Sequence, residues 1–210
     1  MRTLHQILHE VQKHRLIGIL RKLPVDRVEE VGKALFAGGL RLVEVTLDSP
    51  GAQEMIERLR ALSDKWYVGT GTVLDEASAR CAVLAGAQFL VTPTVSLDVI
   101  RTGSRYGLAV ITGAMTPSEI LTAYEAGSAM VKVFPAGSLG PAYIKQVRGP
   151  LSYVPLVAVG GVNAANARKF LEAGCVAVGV GSSLVTAADL ASGSFDAMRE
   201  NVSQLVAAVS

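Results

Sequence analysis

The stretch Glu125-Ala126-Gly127-Ser128-Ala129-Met130-Val131-Lys132-Val133-Phe134 carries the plan of the whole chain. It reads as the end of a helix, a glycine that reverses the backbone, and a short apolar strand. Gly just past a helix takes the left-handed C′ position without steric cost. The β-branched run that follows does not alternate with polar residues, which fits a strand covered on both faces, as in a parallel sheet. The same frame recurs as Phe36-Ala37-Gly38-Gly39 before residues 40–45, Leu84-Ala85-Gly86 before 87–92, and Glu172-Ala173-Gly174 before 175–180.

Between these copies the sequence predicts four further strands, at residues 16–20, 66–69, 108–112 and 156–159. Thr116-Pro117-Ser118-Glu119 is a capping box with Pro at the first helical position. Asp75 and Asn163 are expected to cap the helices after the third and seventh strands. With an N-terminal helix near residues 4–13, the count is eight strand–helix units. The expectation is an α/β fold, a compact (β/α)8 TIM barrel with a short N-terminal helix, forming a single domain over residues 1–210. An open doubly wound sheet is the alternative, and it requires a reversal of strand order.

The repeat also places side chains. Aligned on Gly39, Gly86, Gly127 and Gly174, the copies put Glu44, Val91, Lys132 and Gly179 at one offset, on the second, fourth, sixth and eighth strands. Alternate strands supply one layer of a barrel interior, so Glu44 and Lys132 are expected to face each other. Anchoring the first copy on Gly38 instead would turn Glu44 outward, because strand faces alternate.

A charge inside a barrel is costly unless it is paired or its pKa shifts. A lysine that loses its proton there is a candidate amine nucleophile for a ketone. Lys132 is therefore the candidate Schiff-base residue and Glu44 the candidate proton shuttle; the alternative for both is a structural ion pair. Gly160-Gly161 and Gly181-Ser182 close the seventh and eighth strands, where such barrels commonly bind phosphate on backbone N–H groups. Thr72, in Gly69-Thr70-Gly71-Thr72, is a carboxylate ligand or a helix cap. Arg21 is a carboxylate clamp or a solvated strand end.

Other features exclude more than they assign. Net charge is +2, from 20 basic and 18 acidic residues, which offers no footprint for nucleic acid or an anionic membrane. No apolar run approaches the length of a spanning helix, and residues 1–15 lack a signal-peptide core. Cys81 and Cys175 read as buried, reduced thiols, suiting the cytoplasm. His5 and His9 stand on the polar side of the first helix with no third ligand in sight, so no metal site is expected. Lys145 and Arg148 read as surface charges.

Taken in order, Glu44-Val45-Thr46-Leu47, Gly69-Thr70-Gly71-Thr72-Val73, Val91-Thr92-Pro93, Val131-Lys132-Val133-Phe134-Pro135-Ala136, Gly160-Gly161-Val162 and Val178-Gly179-Val180-Gly181-Ser182 span nearly the whole chain. Together they resemble the family of 2-keto-3-deoxy-6-phosphogluconate (KDPG) and 4-hydroxy-2-oxoglutarate (KHG) aldolases. The resemblance implies a class I pyruvate aldolase without a cofactor or metal, usually homotrimeric. Lys132 would form the Schiff base, Glu44 would be the acid/base and Thr72 would bind the carboxylate. Pro93 and Phe134 would shape the pocket, and Gly160, Gly161 and Ser182 would hold the phosphate. The substrate would be a phosphorylated sugar acid or another small keto acid. Many gluconate-type members carry an arginine where this chain has Asp48, which would repel a carboxylate; Arg21 is the expected substitute. Val159, Leu47-Asp48-Ser49-Pro50 and Gly140-Pro141 look closer to the 6-phosphogalactonate-cleaving branch. The alternatives are that branch, a phosphate-binding barrel epimerase or synthase, and a non-catalytic ligand sensor.

Overall fold

A computed structural model describes residues 3–193 and 195–210. Eight parallel strands close into a barrel in sequence order: β1 (Leu16–Leu20), β2 (Leu42–Thr46), β3 (Tyr67–Gly71), β4 (Phe89–Val91), β5 (Ala109–Ala114), β6 (Met130–Val133), β7 (Leu156–Val159) and β8 (Ala177–Val180). Helix α1 (Leu4–His14) precedes them. Between them run α2 (Val28–Ala37), α3 (Ala52–Leu62), α4 (Glu76–Leu84), α5 (Leu97–Arg105), α6 (Pro117–Glu125), α7 (Ala136–Arg148) and α8 (Ala167–Glu172). Two helices follow β8, the short α9 (Ala187–Ser192) and α10 (Asp196–Val209). The closed barrel removes the doubly wound alternative. Every expected strand is present, shifted by one or two residues where the glycine turn takes up the start.

Those turns share one hydrogen-bond pattern. Gly39, Gly86, Gly127 and Gly174 all have φ between +82° and +109°. The next residue's N–H reaches back to the helix each time: Leu40 to Leu35, Ala87 to Ala82, Ser128 to Ala123 and Cys175 to Phe170, at 3.0–3.1 Å. This is the Schellman closure, which satisfies helix-end carbonyls and re-aims the chain into a strand. Gly38 keeps helical angles as the C-cap. Gly39 is thus the true anchor of the first copy, and the parity that turns Glu44 inward follows from it.

Two apolar layers result. The inner one contains Ile17, Leu42, Tyr67, Phe89, Ala109, Met130, Val157 and Ala177, and Ile7 and Val11 of α1 pack onto it. Helix α1 touches β2, β5 and β8, so it spans the N-terminal mouth of the barrel. Burying Ile7 and Val11 there contributes about 1.5–3 kcal/mol each. The outer layer joins strands to helices, and α10 closes the ring against α2, α8 and β1. With one end plugged, the strands' C-terminal ends are the open mouth.

Local details differ from expectation at Asn163, Arg148 and Cys81. Asp75 caps α4 by accepting from the N–H of Ser78 at 2.7 Å, but Asn163 caps no helix. Its side chain accepts from Ala165, and α8 begins four residues after it. Gly140 and Pro141 break α7, with Gly140 at φ 76° and ψ 166°; Pro cannot donate the bond a continuous helix needs there. Arg148 is half-buried and donates to the carbonyls of Ser152 and Val154, bracing the turn before β7. Cys81 is only half-buried, whereas burial pushes the Cys175 thiol up to about 12.

Candidate active site

Each expected site residue sits at or near a strand's C-terminal end. Arg21 follows β1, Glu44 is the third residue of β2, and Thr72 follows β3. Pro93 lies just beyond β4, and Lys132 lies in β6 with Phe134 after it. The Gly160-Gly161 and Gly181-Ser182 turns leave β7 and β8. The closed strand order sets β2 and β6 diametrically apart. Lateral pairing puts Glu44 between Ile19 and Gly69, and Lys132 between Gly113 and Val157. A single cavity of about 250 Å³ collects Arg21, Glu44, Pro93, Lys132, Phe134, Gly160, Gly161, Gly181 and Ser182. Thr72 is outside its lining and joins it through Arg21.

Glu44 is 2 % exposed and Lys132 is 6 % exposed. Burial raises the Glu44 carboxyl above its ordinary range, while the charges of Lys132 and Arg21 pull it back. Burial lowers the Lys132 ammonium; the Glu44 charge opposes that shift and Arg21 reinforces it. Both groups are driven toward neutrality, the condition under which an amine is nucleophilic and a carboxyl can carry a proton either way. The two interact across the cavity, but no ion pair within 4.0 Å joins them among the described residues. The Lys132 ammonium stands 5.1 Å from the centre of the Phe134 ring.

Small residues make room for the pair. A Cβ at Gly71 would stand 2.8 Å from the Glu44 carboxyl carbon, and one at Gly179 would stand 2.9 Å from Val159. At the β7 turn, Gly160 and Gly161 have φ of 88° and 74°, which only glycine adopts freely. A side chain at Gly160 would meet the Phe134 ring at 2.9 Å.

Arg21 is held at the rim from two neighbouring strand ends. It donates to Asp48 at 3.1 Å and to the Thr72 hydroxyl at 3.0 Å. Asp48 thus pairs with the arginine. Asp75, not Thr72, caps α4, which removes the capping alternative for Thr72; its φ of 57° is rare for a non-glycine residue. Sequence reasoning missed the cavity walls Ile19 and Val162, and the contact between Gly71 and Glu44. Inward parity from Glu44 would have found Ile19 and Gly71; Val162 stood in the Gly160-Gly161-Val162 motif but was given no role there. His5 and His9 are exposed on α1, remote from this mouth. Among the described residues no helix is long and apolar enough to cross a membrane.

A family model described as KDPG and KHG aldolase matches residues 7–201. The chain belongs to that family. It is accordingly an aldolase, a carbon–carbon lyase of class I. Among curated relatives, the 2-dehydro-3-deoxy-6-phosphogalactonate aldolase of Escherichia coli K12 is 38 % identical over 175 residues, covering 82 % of this chain and 85 % of its own. The native KDPGal structure superposes with a TM-score of 0.86 at 35 % identity, covering 92 % of this chain and 93 % of that one. The KDPG aldolase of Legionella pneumophila, solved with pyruvate captured as a covalent carbinolamine, gives 0.87 at 26 % identity, covering 97 % and 98 %.

Proposed function

We propose that Lys132 is the Schiff-base lysine of a reversible pyruvate aldolase, with Glu44 as its acid and base. The carrying observation is that these two groups, from opposite strands, share one cavity in which burial drives both toward neutrality. The neutral amine attacks the C2 ketone of a 2-keto-4-hydroxy acid, and water leaves with a proton from Glu44. Glu44, directly or through water, then takes the C4 hydroxyl proton. The C3–C4 bond breaks, its electrons flow into the iminium, and an aldehyde departs. The enamine is protonated at C3 and hydrolysed to pyruvate, freeing Lys132.

Arg21 and Thr72 bind the keto-acid carboxylate. Two of the five guanidinium donors are engaged by Asp48 and Thr72, which leaves others to face a ligand. Pro93 and Phe134 flank the reacting carbons. Gly160, Gly161, Gly181 and Ser182, in the turns after β7 and β8, receive the distal phosphate on backbone N–H groups.

The substrate class is a 2-keto-3-deoxy-6-phospho sugar acid, cleaved to pyruvate and glyceraldehyde 3-phosphate, or 4-hydroxy-2-oxoglutarate, cleaved to pyruvate and glyoxylate. Two observations favour the galactonate-type sugar acid: Val159 lines the cavity, and Asp48 stands where an arginine would serve the gluconate type. The proposed assembly is a homotrimer, with exposed Leu74, Leu97, Met115 and Tyr153 as apolar surface available for burial. Two free cysteines favour the cytoplasm.

Borohydride reduction with pyruvate, followed by intact-mass and peptide analysis, tests the core of this. A reduced pyruvyl adduct on Lys132 is the expected result. Folded protein that gains no adduct would demote Lys132 to a structural charge.

A further inference from the structure

The cavity holding Lys132 is not the larger of two that meet at this mouth. A second, of about 370 Å³, lies beside it between the β1–α2 loop and the segment after β8. Its walls are mostly aliphatic, from Ile19, Leu20, Leu23, Val185 and Leu190, with Arg21, Lys22 and Ser182 as the polar members of the lining. The two cavities share Ile19, Arg21, Gly181 and Ser182, so they are contiguous. The second is of the size of a small-molecule site in its own right, at the low end of ~300–1,000 Å³.

Its walls are held in place. Lys22, at φ 53°, donates its backbone N–H to Ser49 at 2.7 Å, which ties the β1–α2 loop to the turn after β2. On the other side Leu184 is fully buried, its N–H closes a turn onto Gly181 at 2.9 Å, and Asn201 of α10 donates to the Ser183 carbonyl. Arg21 and Lys22 could partner an anion in this cavity, whereas its five aliphatic residues could not. A hydrocarbon chain would lose only unfavourable hydration.

We infer that the enzyme also joins pyruvate to, and releases, unphosphorylated aldehydes with an apolar chain, whose tail occupies this second cavity. The inference rests on the proposed Schiff-base chemistry. The enamine carbon of Lys132-bound pyruvate attacks the aldehyde carbon. The carbonyl oxygen takes its proton from Glu44, and water hydrolyses the iminium to release a 4-hydroxy-2-keto acid and the free amine. The chain leaving the aldehyde carbon toward β8 passes Ser182 and enters the aliphatic space.

The test is a chain-length series. Condensation of pyruvate with propanal, butanal, pentanal and hexanal is followed by kcat/KM for the aldehyde. Full burial is worth ~4-fold per methylene, and at least a tenfold rise from propanal to hexanal is expected. A flat or falling series, on enzyme that forms the borohydride-trapped pyruvate adduct, overturns the inference alone; a missing adduct defeats the proposed function itself. Val185→Phe, which fills the second cavity from a wall the Lys132 cavity lacks, should abolish the gradient while the pyruvate adduct still forms. A gradient surviving in Val185→Phe would place the tail elsewhere and overturn the assignment.

Discussion

Replacing Gly71 with Ala perturbs the position of one carboxylate and little else. Gly71 ends β3, fully enclosed, with its inner face against Glu44. An added Cβ would stand 2.8 Å from the Glu44 carboxyl carbon and closer still to Oε1. Ordinary contact begins at 3.4 Å, so the carboxyl carbon must retreat by about 0.6 Å and Oε1 by more. The obstructed group is the end of a flexible side chain, so the fold should survive; overpacking costs about 1–3 kcal/mol at most sites. A misplacement on the order of 1 Å can slow an enzyme ~10²-fold, and we expect Gly71→Ala to lose roughly 10- to 10²-fold in kcat. The amine of Lys132 is untouched, so pyruvate should still be trapped by borohydride. The assay couples released pyruvate to lactate dehydrogenase, with trapping and circular dichroism in parallel. A folded Gly71→Ala enzyme with kcat within about twofold of wild type would refute the claim that the Glu44 carboxylate must sit where it does.

Arg21→Ala should raise KM for the keto acid about 10- to 10²-fold, the scale of charge-assisted hydrogen bonds, with a smaller change in kcat; an unaltered KM would remove Arg21 from carboxylate binding. Because burial lowers the Lys132 pKa, the reactive amine exists below the usual lysine range. The rate of pyruvate methyl-proton exchange should therefore rise with pH and level off below 10.5, and a profile still climbing at 10.5 would contradict the lowered pKa. The same shift has a stability sign. A folded-state pKa below the unfolded value means that the unfolded chain binds more protons between the two, so this group's contribution is lost as pH falls through the folded pKa. Lys132→Met should thus raise Tm near neutral pH, by a margin that shrinks as pH climbs toward 10.5, read by calorimetry.

The barrel was legible because its signals are local. A C′ glycine and the strand after it depend on backbone angles within one turn, and four copies gave the same register. Parity from Gly39 turns Glu44 and Lys132 inward, and the positive φ of Gly39 decided between it and Gly38 as the anchor. The start of α8 was misplaced because an Asx turn at Asn163 uses the same residue type as a helix cap. Two other roles were missed: Arg148 read as a surface charge because the turn whose carbonyls it braces has no sequence signature, and the partner of Asp48, Arg21, comes from another strand end.

Chain chemistry by itself determined the eight strand–helix units and offered a lysine and a glutamate as a facing pair inside the barrel, with the choice between Gly38 and Gly39 left open. These follow from steric rules acting over a few residues. Only the tertiary structure decided that the two groups share a cavity without a direct ion-pair contact, that Asp48 and Thr72 hold Arg21 at its rim, and that a mostly aliphatic cavity opens beside it. Those depend on distances between segments far apart in sequence, and such distances are set when the barrel closes and its loops pack.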